Sequence, residues 1–169
     1  MQTRTEDETV SDVGEAEKGL VIERRFTSAG SDPFDAFDWI EMSVEIRNPD
    51  GSLAHEIEGA RLPSGFAGVA GKVCAQKYLR KAGVPAALRK VAEDGVPVWL
   101  QRSEPDHEKL QTLDSEDRYV GETDGRELFR RLAGTWTYWG WNYGYFASEA
   151  DARAYYDEMC YLIASQRSA

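Results

Sequence analysis

The chain has 169 residues, 41% hydrophobic and 30% charged, a balance that suits one folded core with or without flexible ends. Its formal charge is −10, and its bases fall in short clusters diluted by acids, which disfavours binding to nucleic acid or to an anionic membrane. No run approaches the roughly 20 apolar residues that span a bilayer, and the acidic start is unlike a secretory signal, so a cytoplasmic location is expected.

Residues 1–18 are polar and acidic, almost free of large apolar side chains, and are expected to be a disordered tail. Order is expected from Leu20, with Leu20-Val21-Ile22 extended. Asp32-Pro33 reads as the opening of a short helical turn that aims Phe34 and Phe37 inward. Ile40, Met42, Val44 and Ile46 then alternate with polar residues, Asn48-Pro49-Asp50-Gly51 supplies turn chemistry, and Leu53, His55 and Ile57 alternate again. That pattern predicts a β-hairpin. From Ser64 the period becomes helical, with Phe66, Val69, Ala70, Val73, Cys74 and Tyr78 on one face and Gly83 and Pro85 ending the helix.

Residues 86–123 read as an irregular connector. Within it Ala86–Val91 suggests a short helix and Val96–Leu100 an apolar anchor, and the acidic stretch 101–127 reads mostly as solvated loop. A loop of that length is uncommon within a compact domain, so it is expected to wrap over a larger body. Asp124 with Glu127, and Ser148 with Asp151, predict capped starts for two closing helices. The fold class is α+β, a β-hairpin followed by a small helical bundle. Residues 19–85 form the hairpin and helix, 86–123 the connector and 124–169 the aromatic-rich helix pair, with 19–169 as one domain.

Few residues invite a chemical role. Gly65 to Lys72 fails as a phosphate loop: five residues separate Gly65 from Gly71-Lys72, and Val73 stands where a Mg²⁺-binding hydroxyl belongs. Close packing of small residues on the hairpin is the better reading. His55 falls on the apolar face of a strand and His107 among loop carboxylates; neither pattern specifies a metal site. Asp32, Asp35 and Asp38 lack the alternation of a calcium loop. Cys74 and Cys160 are isolated and read as small core hydrophobes. No catalytic, cofactor-binding or metal-ligating residue is assigned.

The most unusual stretch runs from Trp136 to Phe146, with seven aromatics in eleven residues. Base stacking would need a basic groove, and no cation lies between Arg131 and Arg153. Trp136, Trp139, Trp141, Tyr143, Tyr145 and Phe146 are therefore read as a docking surface.

Three blocks in order carry a resemblance. They are Arg25-Phe26-Thr27 with Asp32-Pro33-Phe34-Asp35; Asn48 to Ser52 with Ala75 to Pro85; and Arg131 to Trp136, then Gly144-Tyr145-Phe146, Tyr156 to Met159 and Gln166. Together they resemble the amino-terminal, non-catalytic segment of adenosylcobalamin-dependent (class II) ribonucleotide reductases. The resemblance implies a parent enzyme, a ribonucleoside-diphosphate reductase using adenosylcobalamin, that makes deoxyribonucleotides for DNA synthesis. It also implies that the radical cysteine, the redox pair and most of the cobalamin site lie in an α/β barrel following Ala169. The expected partner is that barrel, in cis or as a separate subunit. A free-standing nucleotide- or protein-binding adaptor is the alternative.

Overall fold

A computed structural model describes residues 19–167, and the predicted acidic tail lies outside the described residues. The first element is a 3₁₀ turn at Pro33–Ala36, capped by Asp32 through the Phe34 amide, and it buries Phe34 as expected. The hairpin follows as β1 (Trp39–Arg47) and β2 (Leu53–Pro63), an antiparallel pair. At its tip the Asn48 carbonyl accepts the Gly51 amide, Gly51 adopts φ +85°, and Asp50 accepts both the Ser52 amide and hydroxyl. Those last bonds hold the Asp50 carboxyl below its ordinary value.

β2 is not a simple alternating strand. Met42 pairs with Ala60 but Val44 with Ile57, so an extra residue is inserted around Gly59, which sits at φ +64°. A bulge of this kind changes which parity faces inward. Ile57 is buried before it, and Ala60 and Leu62 after it. The next helix packs across the middle of the hairpin, at Met42 and Glu45, and a later one on its base, at Leu62.

The helix after the hairpin departs from its predicted phase. A 3₁₀ turn at Ser64–Phe66 is followed by Gly68 at φ +76°, and only then does α1 (Val69–Tyr78) begin. Its buried residues are Gly71, Cys74 and Ala75, whereas Val69, Val73 and Tyr78 are exposed. The cause is close approach: a Cβ on Gly71 would lie 2.6 Å from Met42 Sδ, so the helix backbone itself rests on the hairpin. α1 also ends before Gly83, because the Arg80 backbone is claimed by Glu122. The Arg80 amide donates to the Glu122 carboxylate and its carbonyl accepts the Glu122 amide, at 2.9 and 2.7 Å.

The connector is more ordered than its composition suggests. Residues 86–91 form no helix. β3 (Val84–Pro85) pairs with β6 (Tyr119–Val120), and β4 (Leu88–Lys90) pairs with β5 (Ser103–Pro105), with an Arg89–Glu104 ion pair at 2.6 Å across the latter. Between β5 and β6 lies α2 (His107–Gln111), capped by Asp106 and anchored by buried Leu110. Much of this segment folds back on the chain's own closing helices.

Those helices are α3 (Gly125–Asn142) and α4 (Glu149–Ala164), packed on one another. Asp124 caps α3 by accepting the Arg126 amide at 2.9 Å. Glu127 is not the reciprocal partner of a capping box; its carboxyl lines a cleft, and burial followed by neighbouring Glu122 and Asp124 pushes it above the ordinary range. Ser148 caps α4 through the Asp151 amide. The core joins Val44, Ile57 and Leu62 of the hairpin to Phe66, Ala75, Phe129, Ala133 and Cys160.

Three buried carboxylates tie the periphery to this core. Glu158, 8% exposed, accepts the amides of Arg25, Phe26 and Thr27 and the Thr27 hydroxyl, so residues 20–27 lie as a strap along α4. Asp157, 1% exposed, pairs with Arg24 at 2.8 Å and Arg153 at 3.0 Å. Glu122, 4% exposed, pairs with Arg131 at 2.8 Å. Among the described residues no helix is long and apolar enough to cross a membrane.

Candidate docking surface

Helical geometry divides the aromatic run between two roles. Successive residues of α3 are about 100° apart, so Trp139 and Trp141 face in very different directions. The start of the helix sits on the hairpin, with Leu128 and Phe129 buried. Further along, Thr137 is buried and bonds the Ala133 carbonyl, and Gly140 lies under the Phe146 ring. Trp136, Trp139, Tyr143 and Tyr145 remain outside, with exposures of 37%, 55%, 75% and 59%.

The other two predicted docking residues are engaged within the chain. Trp141 Nε1 donates to the Gly95 carbonyl at 2.7 Å, and Phe146 packs against Gly140 and Tyr155. Tyr138 continues the inward theme, its hydroxyl donating to Glu93 at 2.5 Å. Trp99 reciprocates from the connector, with Nε1 donating to Glu149 at 2.9 Å. The polar tips of three aromatics thus stitch residues 93–99 onto α3 and α4. Composition did not reveal this, because the bonding partners are a backbone carbonyl and two carboxylates far away in sequence.

Trp136, Trp139 and Tyr143, spaced three and four residues apart, share one face of α3 and its end, and the Tyr145 ring lies 6.1 Å from that of Tyr143. Indole and phenol rings offer large area at small entropic cost, the usual makings of an interface anchor. Around them the chain offers little to a reaction. His55 is half-buried opposite Ile46 on the hairpin, and His107 is exposed at the start of α2. Cys74 and Cys160 are buried, and desolvation pushes their thiols up to about 11 and about 12, the reverse of a poised thiolate. Among the described residues no group of three or more His, Cys, Asp or Glu is placed to hold a metal ion.

The family described as class II vitamin B12-dependent ribonucleotide reductase matches residues 40–166. The chain belongs to this family. The vitamin B12-dependent ribonucleotide reductases of Bradyrhizobium diazoefficiens and Agrobacterium fabrum are 49% and 48% identical to it, over 86% and 88% of its length. That of Streptomyces avermitilis is 30% identical over 90%. The chain spans only 12% to 13% of the length of these reductases. It corresponds to the amino-terminal domain of the family.

The reductase family implies cobalamin. Among the described residues the two histidines stand apart and the two thiols are buried in the core, so no cluster of metal-ligating side chains is assembled. No step through the cofactor is assigned to these residues.

Proposed function

We propose that the chain serves as a non-catalytic scaffold of a cytoplasmic B12-dependent ribonucleotide reductase, docking on the catalytic barrel through the exposed strip of α3. The observation that carries this reading is the placement of Trp136, Trp139, Tyr143 and Tyr145 outside the chain's own core. Four large aromatics left in water on one helix end are costly unless another surface covers them. On this reading, ribonucleotide reduction and adenosylcobalamin binding belong to the barrel, and this chain holds the barrel's entry side.

The test mixes the chain with a separately produced remainder of a close reductase relative and follows complex formation and cobalamin-dependent ribonucleotide reduction. Activity restored only in the mixture supports the scaffold. Trp136→Ala with Trp139→Ala should weaken the complex by about 2–4 kcal/mol, as for buried anchors, while the melting of the free chain stays nearly unchanged. A remainder equally active alone, with no complex formed, would favour a free-standing adaptor instead.

A further inference from the structure

α1 turns Val69 and Val73 outward, 76% and 46% exposed, although their spacing reads as part of a buried helix face. One turn apart, they make an apolar ridge along the helix. Successive residues advance about 100°, which sets Lys72 on one flank of the ridge and Lys77 on the other. Both lysines are exposed, as is Lys81 just beyond the helix end.

Charge is sorted about this face. No acid occurs between Glu58 and Glu93, a stretch that holds seven bases in a chain of formal charge −10. In the strand beneath α1, Glu41 and Glu45 alternate with Met42 and Val44, so their carboxylates point away from the helix. Arg80 leans toward Glu122 at 4.0 Å, but among the described residues Lys72, Lys77 and Lys81 enter no ion pair. Three such lysines around two bare valines suit a polypeptide segment with small apolar residues set among acids.

Residues 1–17 answer that description. They hold six acids against one base, and Val10 and Val13 fall among Glu6, Asp7, Glu8, Asp12 and Glu15. The reach is also sufficient. Leu20 is fixed just ahead of α4, its amide donating to the Tyr145 carbonyl at 2.7 Å. Past the far end of α4, Gln166 Nε2 donates to the carbonyl of Gly65, shortly before α1 begins. The 16 residues of α4 span about 24 Å. From Val10 to Leu20 the chain can stretch over about 33–36 Å, which brings the ridge within range of Val10 and of the acids before it.

We propose that residues 6–15 dock in cis on the outer face of α1, with Val10 and Val13 against Val69 and Val73 and their acids against Lys72, Lys77 and Lys81. A tethered segment meets its site at high effective concentration, so modest contacts suffice. The contact uses neither the α3 aromatics nor a barrel, and its failure would leave that reading untouched.

The test is zero-length carbodiimide cross-linking of the 169-residue chain, with isotopically labelled and unlabelled copies mixed and the joined peptides read by mass spectrometry. Links are expected from Lys72, Lys77 or Lys81 to acids of residues 6–15 within one copy. Their yield should fall severalfold in about 0.5 M salt, where charges are screened beyond roughly 4 Å. Val10→Ser with Val13→Ser should also lower it severalfold at unchanged melting temperature. Val69→Ser with Val73→Ser should do the same from the other side, since both side chains are exposed. The proposal is overturned if the acids of residues 6–15 link only to other lysines or to none. It is overturned too if the links join only unlike copies, which would give the face to a second copy, or if the yield ignores both valine pairs.

Discussion

Glu158 offers a sharp test of how the amino-terminal strap is held. Its Oε1 accepts four bonds, from the amides of Arg25, Phe26 and Thr27 at 3.1, 3.1 and 2.9 Å and from the Thr27 hydroxyl at 2.7 Å. Its other oxygen receives only a second, 3.3 Å contact from Phe26. Glu158→Gln can therefore keep the carbonyl oxygen in place and lose chiefly the charge, whereas Glu158→Ala loses every bond. A net contribution of about 0.5–1.5 kcal/mol per bond, more for a charged acceptor, would sum to more than the true cost. The strap is half-exposed, and its freed amides can turn to water. A loss of about 2–3 kcal/mol for alanine and about 1 kcal/mol for glutamine follows. In a chain of this size that lowers the melting temperature by roughly 4–12 °C for alanine and 2–4 °C for glutamine.

The pH dependence separates charge from shape. Burial pushes the Glu158 carboxyl up, but the bonds from Thr27, Phe26 and Arg25 together outweigh it and leave it below the ordinary value. A group depressed in the folded state contributes stability above its unfolded pKa, about 4.3, and loses it as pH falls through the folded value. The gap between wild type and Glu158→Gln should thus be full at pH 7 and close in acid. Circular dichroism melts over a pH series measure it, and hydrogen exchange at residues 25–27 locates it. Equal melting of the wild type and both variants would refute the account, and so would a glutamine gap that does not narrow as the pH is lowered into the acid range.

Other expectations follow from the same geometry. Gly71→Ala should destabilise by about 1–3 kcal/mol in urea melts, because its Cβ would lie 2.6 Å from Met42 Sδ. Gly59→Ala should cost about 1–2 kcal/mol through backbone strain alone, since φ is +64° and nothing lies within 4 Å of the new methyl. Cys74 and Cys160 should resist a thiol reagent at pH 8 and react once urea exposes them, as burial pushes them up to about 11 and about 12. Rapid labelling of the folded chain would contradict that burial.

Period-two alternation and an Asn-Pro-Asp-Gly tip were enough to read the hairpin, because both signals are local. The starts of α3 and α4 were legible for the same reason, through Asp124 and Ser148. The phase of α1 was not, since it depends on Gly68 turning to positive φ and on Met42 meeting Gly71, contacts that cross between elements. The strands of the connector escaped notice because each is two or three residues long and finds its partner far away in sequence. Residues 86–91 show the consequence: their local pattern suits a helix, yet Leu88–Lys90 pairs with Ser103–Pro105.

The candidate surface was half legible. Of the residues that aromatic density singled out, Trp136, Trp139, Tyr143 and Tyr145 are left outside, whereas Trp141 and Phe146 are used within the chain. Composition cannot separate these two groups, because the distinction rests on rotation about the helix axis and on where the connector returns. The buried carboxylates were missed for a related reason. Asp157 and Glu158 look like an exposed polar pair on α4 until Arg24 and the amides of residues 25–27 are laid against them.

The bulge at Gly59 has a mechanical side. One continuous ribbon of two strands carries both α1, across its middle, and α3, at its base, and the extra residue falls where β2 changes the face it buries. Both helices therefore lean on one ladder of hydrogen bonds, and a substitution that altered the twist at the bulge would disturb the seat of both at once.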